Sequence, residues 1–214
     1  MTFKYKINTM KKIILTTAFL FVLTIVNAQK NELLNAFEQS QMNEVNHDYA
    51  KAARDLESIY LKYMSNYEVN LRLGWLKNSS GDLKESENYY TKAMELKPLA
   101  LEAIFGKILP LIGQEKYNSV IKLSEKALSI APNDSKAEYF IGLANYHKKN
   151  YLKSEKYLEK AINKYPFDLD INLMLGWTKF AMGKKNEAKS LFQVAQRNSP
   201  NNERVKMAIE LINK

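Results

Sequence analysis

Hydrophobic positions along this chain fall into paired helical stripes separated by short polar turns. Ala137, Ile141 and Ala144 lie on one helical face, the polar run Lys148-Lys149-Asn150 breaks it, and Ser154, Leu158, Ala161 and Ile162 resume the spacing. The pattern predicts two amphipathic helices joined by a tight connection. It also recurs. Pro98, Pro132, Pro166 and Pro200 stand 34 residues apart, and Ala93, Ala127, Ala161 and Ala195 keep the same interval five residues earlier, without insertion or deletion. Neither helix of a pair can bury its stripe alone, so successive pairs must stack into a continuous core, with alanine where two helices approach closely. The prolines end each second helix, and Asn133-Asp134-Ser135 and Pro200-Asn201-Asn202 supply turn and N-cap chemistry for the next first helix.

This spacing is similar to that of the tetratricopeptide (TPR) repeat, whose pattern includes Leu-Gly early in the first helix, alanine in the second and proline at the end. Residues 67–100 carry Leu73-Gly74, Ser86, Tyr90, Ala93 and Pro98, and residues 169–202 carry Leu175-Gly176, Ala188, Phe192, Ala195 and Pro200. Residues 135–168 match with Ile141-Gly142, Ser154, Leu158, Ala161 and Pro166. The deviant repeat is 101–134: Ile108 stands where glycine would fall, and Pro110 inside the first helix predicts a kink or a local break. Residues 29–66 read as N-terminal helices, of which 33–66 resemble a degenerate repeat. There Tyr49 aligns with Tyr117 and Tyr151, Ala52 and Leu56 fit a second helix, and Met64 replaces the closing proline. Residues 203–214 place Val205, Ala208, Ile209 and Ile212 at helical spacing, as a capping helix would. The resemblance implies an all-α fold, a right-handed α-solenoid of tandem helix-turn-helix TPR units closed by that cap.

Composition agrees. The 214 residues hold only 7 glycines and 5 prolines while 46% are hydrophobic, which supplies a core but little hairpin material. The absence of cysteine excludes disulfides, a thiolate metal site and a lipoprotein anchor. Part of the formal charge of +9 belongs to Lys4, Lys6, Lys11 and Lys12, with no acid before position 29. The rest sits in clusters such as Lys148-Lys149 and Lys184-Lys185, which read as a solvated helical surface, with an anion-binding patch as the alternative. Near the start, Lys11-Lys12 precede the uncharged stretch from Ile13 to Val26, and Asn27-Ala28 lead into polar Gln29-Lys30-Asn31-Glu32. Its 14 residues fall short of the ~20 that cross a bilayer, so residues 1–28 read as a signal peptide cut after Ala28, of bacterial appearance. Met10 is the alternative start and an uncleaved membrane anchor the alternative fate. The expected destination is the periplasm or cell envelope.

In repeats of this kind the first helices line the concave side. The resemblance places Leu71, Trp75, Phe105, Leu109, Ile112, Tyr139, Leu143, Tyr146, Leu173, Trp177 and Phe180 there. Asn70-Leu71, Leu73-Gly74-Trp75 and Lys77 recur as Asn172-Leu173, Leu175-Gly176-Trp177 and Lys179, so the two tryptophans are equivalent. They either anchor the apolar face of a helix or an extended peptide, or complete packing between repeats. The lysine-asparagine-arginine clamp with which some relatives hold acidic chaperone tails is missing: the relevant spacings carry Leu71, Trp75 and Phe140, or Phe37, Gln41 and Arg72. Chemistry is missing too. His47 and His147 lie in different repeats, each without a second ligand one turn away. No nucleophile elbow, P-loop or dinucleotide motif occurs, Gly183-Lys184 lacking the preceding glycine, and Glu85 and Glu87 read as outward-facing acids. The expectation is therefore a non-enzymatic scaffold or adaptor with an unidentified protein or peptide partner. It has no catalytic residue, cofactor, metal, nucleic acid or small-molecule substrate, and meets a membrane only through an uncleaved leader. A self-associating envelope component is the main alternative; a membrane-anchored or nucleic-acid-binding repeat protein is a weaker one.

Overall fold

The computed structural model describes residues 31–213, so the leader expected over 1–28 lies outside the described residues. The chain divides into two compact units at Met64 and Ser65. In the first, residues 31–45 form helix α1, followed by α2 (Tyr49–Glu57) and the short α3 (Tyr60–Tyr63). Ala36, Ser40, Ala52, Ala53 and Leu56 are buried among its described residues, and Asn43 Nδ2 donates to Asp55 Oδ2 at 2.6 Å. Its second helix comes in two pieces. The Ser58 hydroxyl turns back to the Asp55 carbonyl at 2.6 Å where α2 ends, a local bond that competes with helix continuation.

The second unit is a strict alternation. First helices α4 (Tyr67–Ser79), α6 (Leu101–Gly113), α8 (Ser135–His147) and α10 (Leu169–Ala181) have 13 residues each. Second helices α5 (Leu83–Leu96), α7 (Tyr117–Ile130), α9 (Tyr151–Lys164) and α11 (Lys185–Asn198) have 14. Helix α12 (Glu203–Ile212) buries Val205, Ala208 and Ile212 against α11. Side-chain oxygens of Asn66, Asp134, Asp168 and Asn202 accept backbone N–H groups at the starts of α4, α8, α10 and α12. Lys97, Ala131, Tyr165 and Ser199, the residues before the repeated prolines, are non-helical, as a following proline ring demands.

Within each pair the turn has one geometry. The N–H of Asp82, Lys116, Asn150 and Lys184 reaches back to the carbonyl of Lys77, Leu111, Asn145 and Lys179, closing a Schellman motif. The preceding residue takes positive φ in every case: Gly81 (86°), Glu115 (56°), Lys149 (61°) and Gly183 (78°). His47 in the first unit, at φ 60°, stands one further 34-residue step upstream.

Interior packing rests on a size exchange between the two helices of a pair. A Cβ on Gly74, Gly142 or Gly176 would come within 2.8 Å of Tyr90, 2.5 Å of Leu158 or 2.3 Å of Phe192, so each glycine is the seat of a large side chain from its partner helix. At the equivalent positions of 101–134 the sizes are swapped, Ile108 and Ser124, both buried. Gly106, two residues earlier, accepts the Tyr90 ring from the preceding repeat, at 2.2 Å from an added Cβ. The missing consensus glycine is thus replaced by a different lock. Helix α6 runs through Pro110 to Gly113 without the expected break. The proline is buried near the end of the helix, and Gln114 Nε2 donates to its carbonyl (3.1 Å) and to that of Leu83 (3.3 Å).

Charge also enters the interior. Lys179 on α10 is only 7% exposed, yet its ammonium meets Glu155 at 2.6 Å and Glu159 at 2.9 Å on α9 and Glu187 at 2.8 Å on α11. Burial pushes its pKa down, but these three acids outweigh it and hold the group protonated above the ordinary lysine range. Glu155 also accepts from Lys184 at 2.6 Å, and Glu87 meets Lys116 in the same way at 2.8 Å two repeats earlier. Glu87, expected to face outward, is therefore half-buried between repeats, because Lys116, Lys107 and Gln114 converge on it.

Candidate protein-binding site

Among the described residues of the second unit, α4 touches α6 and α8 touches α10, whereas no two second helices approach comparably. The layer whose members crowd together is the inner one, so the first helices form the concave face and their outermost side chains line it.

The candidate residues separate by depth on this face. Phe105, Leu143 and Leu173 are buried at 8%, 8% and 4% exposure, with the Phe105 ring 6.1 Å from that of Phe140 and under the Lys136 ammonium at 4.8 Å. Ile112 and Tyr139 are half-buried and pack on the same cluster as Phe105. Tyr146 is half-buried beside Tyr151 at 5.8 Å, and Leu71 is half-buried on α4. Leu109 alone among the eleven is exposed, at 41%. Trp75 is half-buried with the Arg72 guanidinium 4.9 Å over its ring. Trp177 combines both alternatives. Its ring lies 4.8 Å from Phe192 and 6.2 Å from Phe180, within the packing around α11 and α12, yet its outer part lines an open cleft.

That cleft, of about 240 Å³, runs across α8, α10 and α12 and is floored by Tyr139, Leu173, Met174, Trp177 and Met207. Asp170 and Arg204 bridge at 2.7 Å on its rim. Tyr139 also borders a neighbouring cleft of about 380 Å³ with Lys136, Phe140 and Tyr165. Burial, with Asp170 nearby, pushes the Tyr139 hydroxyl up to about 12, which keeps it a neutral hydrogen-bonding group. The structure thus assembles Tyr139, Leu173 and Trp177 into one depression and leaves Leu71, Trp75 and Leu109 apart from it. Met174, Met207, Asp170 and Arg204 are additional lining that the sequence reading omitted. The signal was available for Met207, which is Leu173 advanced by 34 residues; the repeat register continues past Pro200 into the cap.

No group of three or more His, Cys, Asp or Glu that could hold a metal ion occurs among the described residues, where His47 and His147 are both exposed. The His147 ring stacks on Tyr117 at 4.8 Å.

The sequence pattern of the tetratricopeptide repeat family matches residues 67–98 and again residues 170–202. The chain carries two tetratricopeptide repeats. It is similar to tetratricopeptide repeat protein 9C of Xenopus tropicalis, 30% identical over 105 residues that make up 48% of this chain. The match spans 59% of that relative's length. Among solved structures it resembles MamA from residue 41 onward of Desulfovibrio magneticus RS-1, with TM-score 0.70 and 19% identity, covering 80% of this chain and 97% of that one. It also resembles YrrB, described as a TPR protein with an unusual peptide-binding site, with TM-score 0.64 and 13% identity over 87% of this chain and 97% of that one. At these identities the TPR likeness to the solved structures is one of fold.

Proposed function

We propose that this TPR protein is a non-enzymatic scaffold of the cell envelope that docks another polypeptide on the inner face of its last two repeats and cap. The cleft of Tyr139, Leu173, Met174, Trp177 and Met207 carries the reading: it is an apolar depression, rimmed by an ion pair, on the face a solenoid presents to ligands. Two methionines and two aromatic rings give an adaptable apolar floor, suited to a row of side chains from a helix or an extended segment. A peptide-binding site in YrrB supports the reading by analogy of fold. Export rests on the basic and apolar segment before Ala28.

Met207 is 66% exposed, so Met207→Glu removes apolar floor without opening the core. Affinity capture from the native envelope is expected to recover a partner with the wild-type chain and lose it with Met207→Glu, at unchanged melting temperature. Capture that survives this variant would sink the groove. Mature protein is expected to begin at Gln29 on N-terminal sequencing; a full-length membrane-bound species would remove the cleavage.

A further inference from the structure

The basic clusters that read in sequence as solvated surface acquire a direction in the fold. Residues 148–164 and 184–198, the second helices of the last two repeats with their entry turns, hold ten basic residues against three acids. The equivalent stretch of the first repeat, 80–96, holds two against four. All three acids, Glu155, Glu159 and Glu187, are engaged by Lys179, which reaches them from the first-helix layer. Lys149, Lys153, Lys156, Lys185 and Lys189 are exposed and have no carboxylate partner among the described residues. Beside them Leu152 stands 75% exposed, and Tyr151, Leu152 and Met182 form an open apolar cleft flanked by Lys149 and Lys153. An aliphatic side chain held in water between exposed lysines is the local arrangement of a membrane-surface contact, in which charge draws the patch to anionic headgroups and the apolar tip enters them. Nine of the ten basic residues are lysine. Lysines are point charges without the planar fork that recognises individual phosphates in nucleic acid or phosphopeptides, so the patch suits a diffuse anionic surface.

We propose that this edge of the array seats on a bilayer carrying anionic lipid, with Leu152 at the point of contact. None of its residues belongs to the peptide cleft, so the two surfaces can be occupied together and tested apart.

The chain contains no cysteine, so a polarity-sensitive fluorophore on Leu152→Cys in the full-length protein reports that position alone, whatever the leader does. With vesicles of phosphatidylcholine and phosphatidylglycerol the label is expected to shift to the blue, and with phosphatidylcholine alone to stay unchanged. A label on Asn88→Cys, exposed in the first repeat, is expected to respond to neither. Adding Lys149→Glu and Lys153→Glu is expected to weaken the response about tenfold or more, and high salt to abolish it. Glutamate already occupies the left-handed position equivalent to Lys149, as Glu115, so this variant adds no backbone strain. The proposal is overturned by an unchanged Leu152→Cys label on anionic vesicles, by an equal response to neutral ones, or by a response that survives the double variant. A response to polyglutamate as strong as to vesicles also overturns it and assigns the edge to an acidic polypeptide.

Discussion

At the scale of single residues, the interior is governed by a few glycines that leave room for large side chains from neighbouring helices. Tyr90 is the sharpest case: buried at 3% exposure, it fills the space above both Gly74 and Gly106. Gly106→Ala is expected to destabilise the protein by about 1–3 kcal/mol through overpacking, read from the urea midpoint at unchanged m-value. A neutral result would mean that the ring can step aside. The left-handed turn positions give the opposite test. Glu115 carries a side chain where Gly81 and Gly183 carry none, so Glu115→Gly is expected to leave stability unchanged or raise it by up to about 1 kcal/mol. A loss on this substitution would show that the Glu115 side chain contributes more than its backbone strain costs. Gly106 also shows where sequence reading stops. The repeat register points to position 108 for glycine, but the need for space at 106 is created by a ring on another helix, and no local signal announces it.

Among helices, the connections were the most legible feature. Proline after each second helix and an Asn or Asp before most first helices act through their own backbone, so they declare an end wherever they stand. Pro110 was misleading for the same reason. Its local effect is real, since the Gly106 carbonyl loses its helical donor, but the ring is buried one turn from the end of α6 and the helix continues to Gly113. The ion cluster around Lys179 was not legible, since its carboxylates come from two flanking helices. Lys179→Ala is expected to cost about 1–3 kcal/mol in urea unfolding, less than a fully buried pair because Glu159 and Glu187 are about half exposed. The exposed pair Lys92 and Glu95, at 3.0 Å within one helix, offers the comparison: Lys92→Ala should cost well under about 1 kcal/mol. Equal costs would remove the distinction between an interior cluster and a surface pair. The candidate groove was legible as a stripe but not as a cleft, because depth along the stripe depends on how Trp177 leans on Phe192 and on the cap.

For the whole molecule, titration sets the limits of stability. Glu87 and Glu155 resist burial's upward pull because hydrogen bonds from Lys116 and Gln114, and from Lys179 and Lys184, hold them below the ordinary carboxylate value of 4.5. Their contribution is present at neutral pH and is lost as pH falls below that value, when the unfolded chain binds protons first. At the alkaline end, burial raises Tyr90 and Tyr139 from 10.0 to about 12, so between these values the unfolded chain sheds protons that the folded one keeps. Stability must then fall as pH rises. Urea midpoints across pH are expected to decline on both sides, and Tyr139→Phe to flatten the alkaline limb while sparing the acid one. An unaltered alkaline limb would mean that Tyr139 ionises freely in the folded state.

The uniform pair length suggests that repeats could be reordered like beads on a string. Tyr90 forbids it. At the place where Gly106 receives the ring, the later repeats offer Phe140 and Met174. A shuffled chain would keep every helix boundary and still jam at that single seam, so the succession of the first two repeats is keyed even though their lengths are interchangeable.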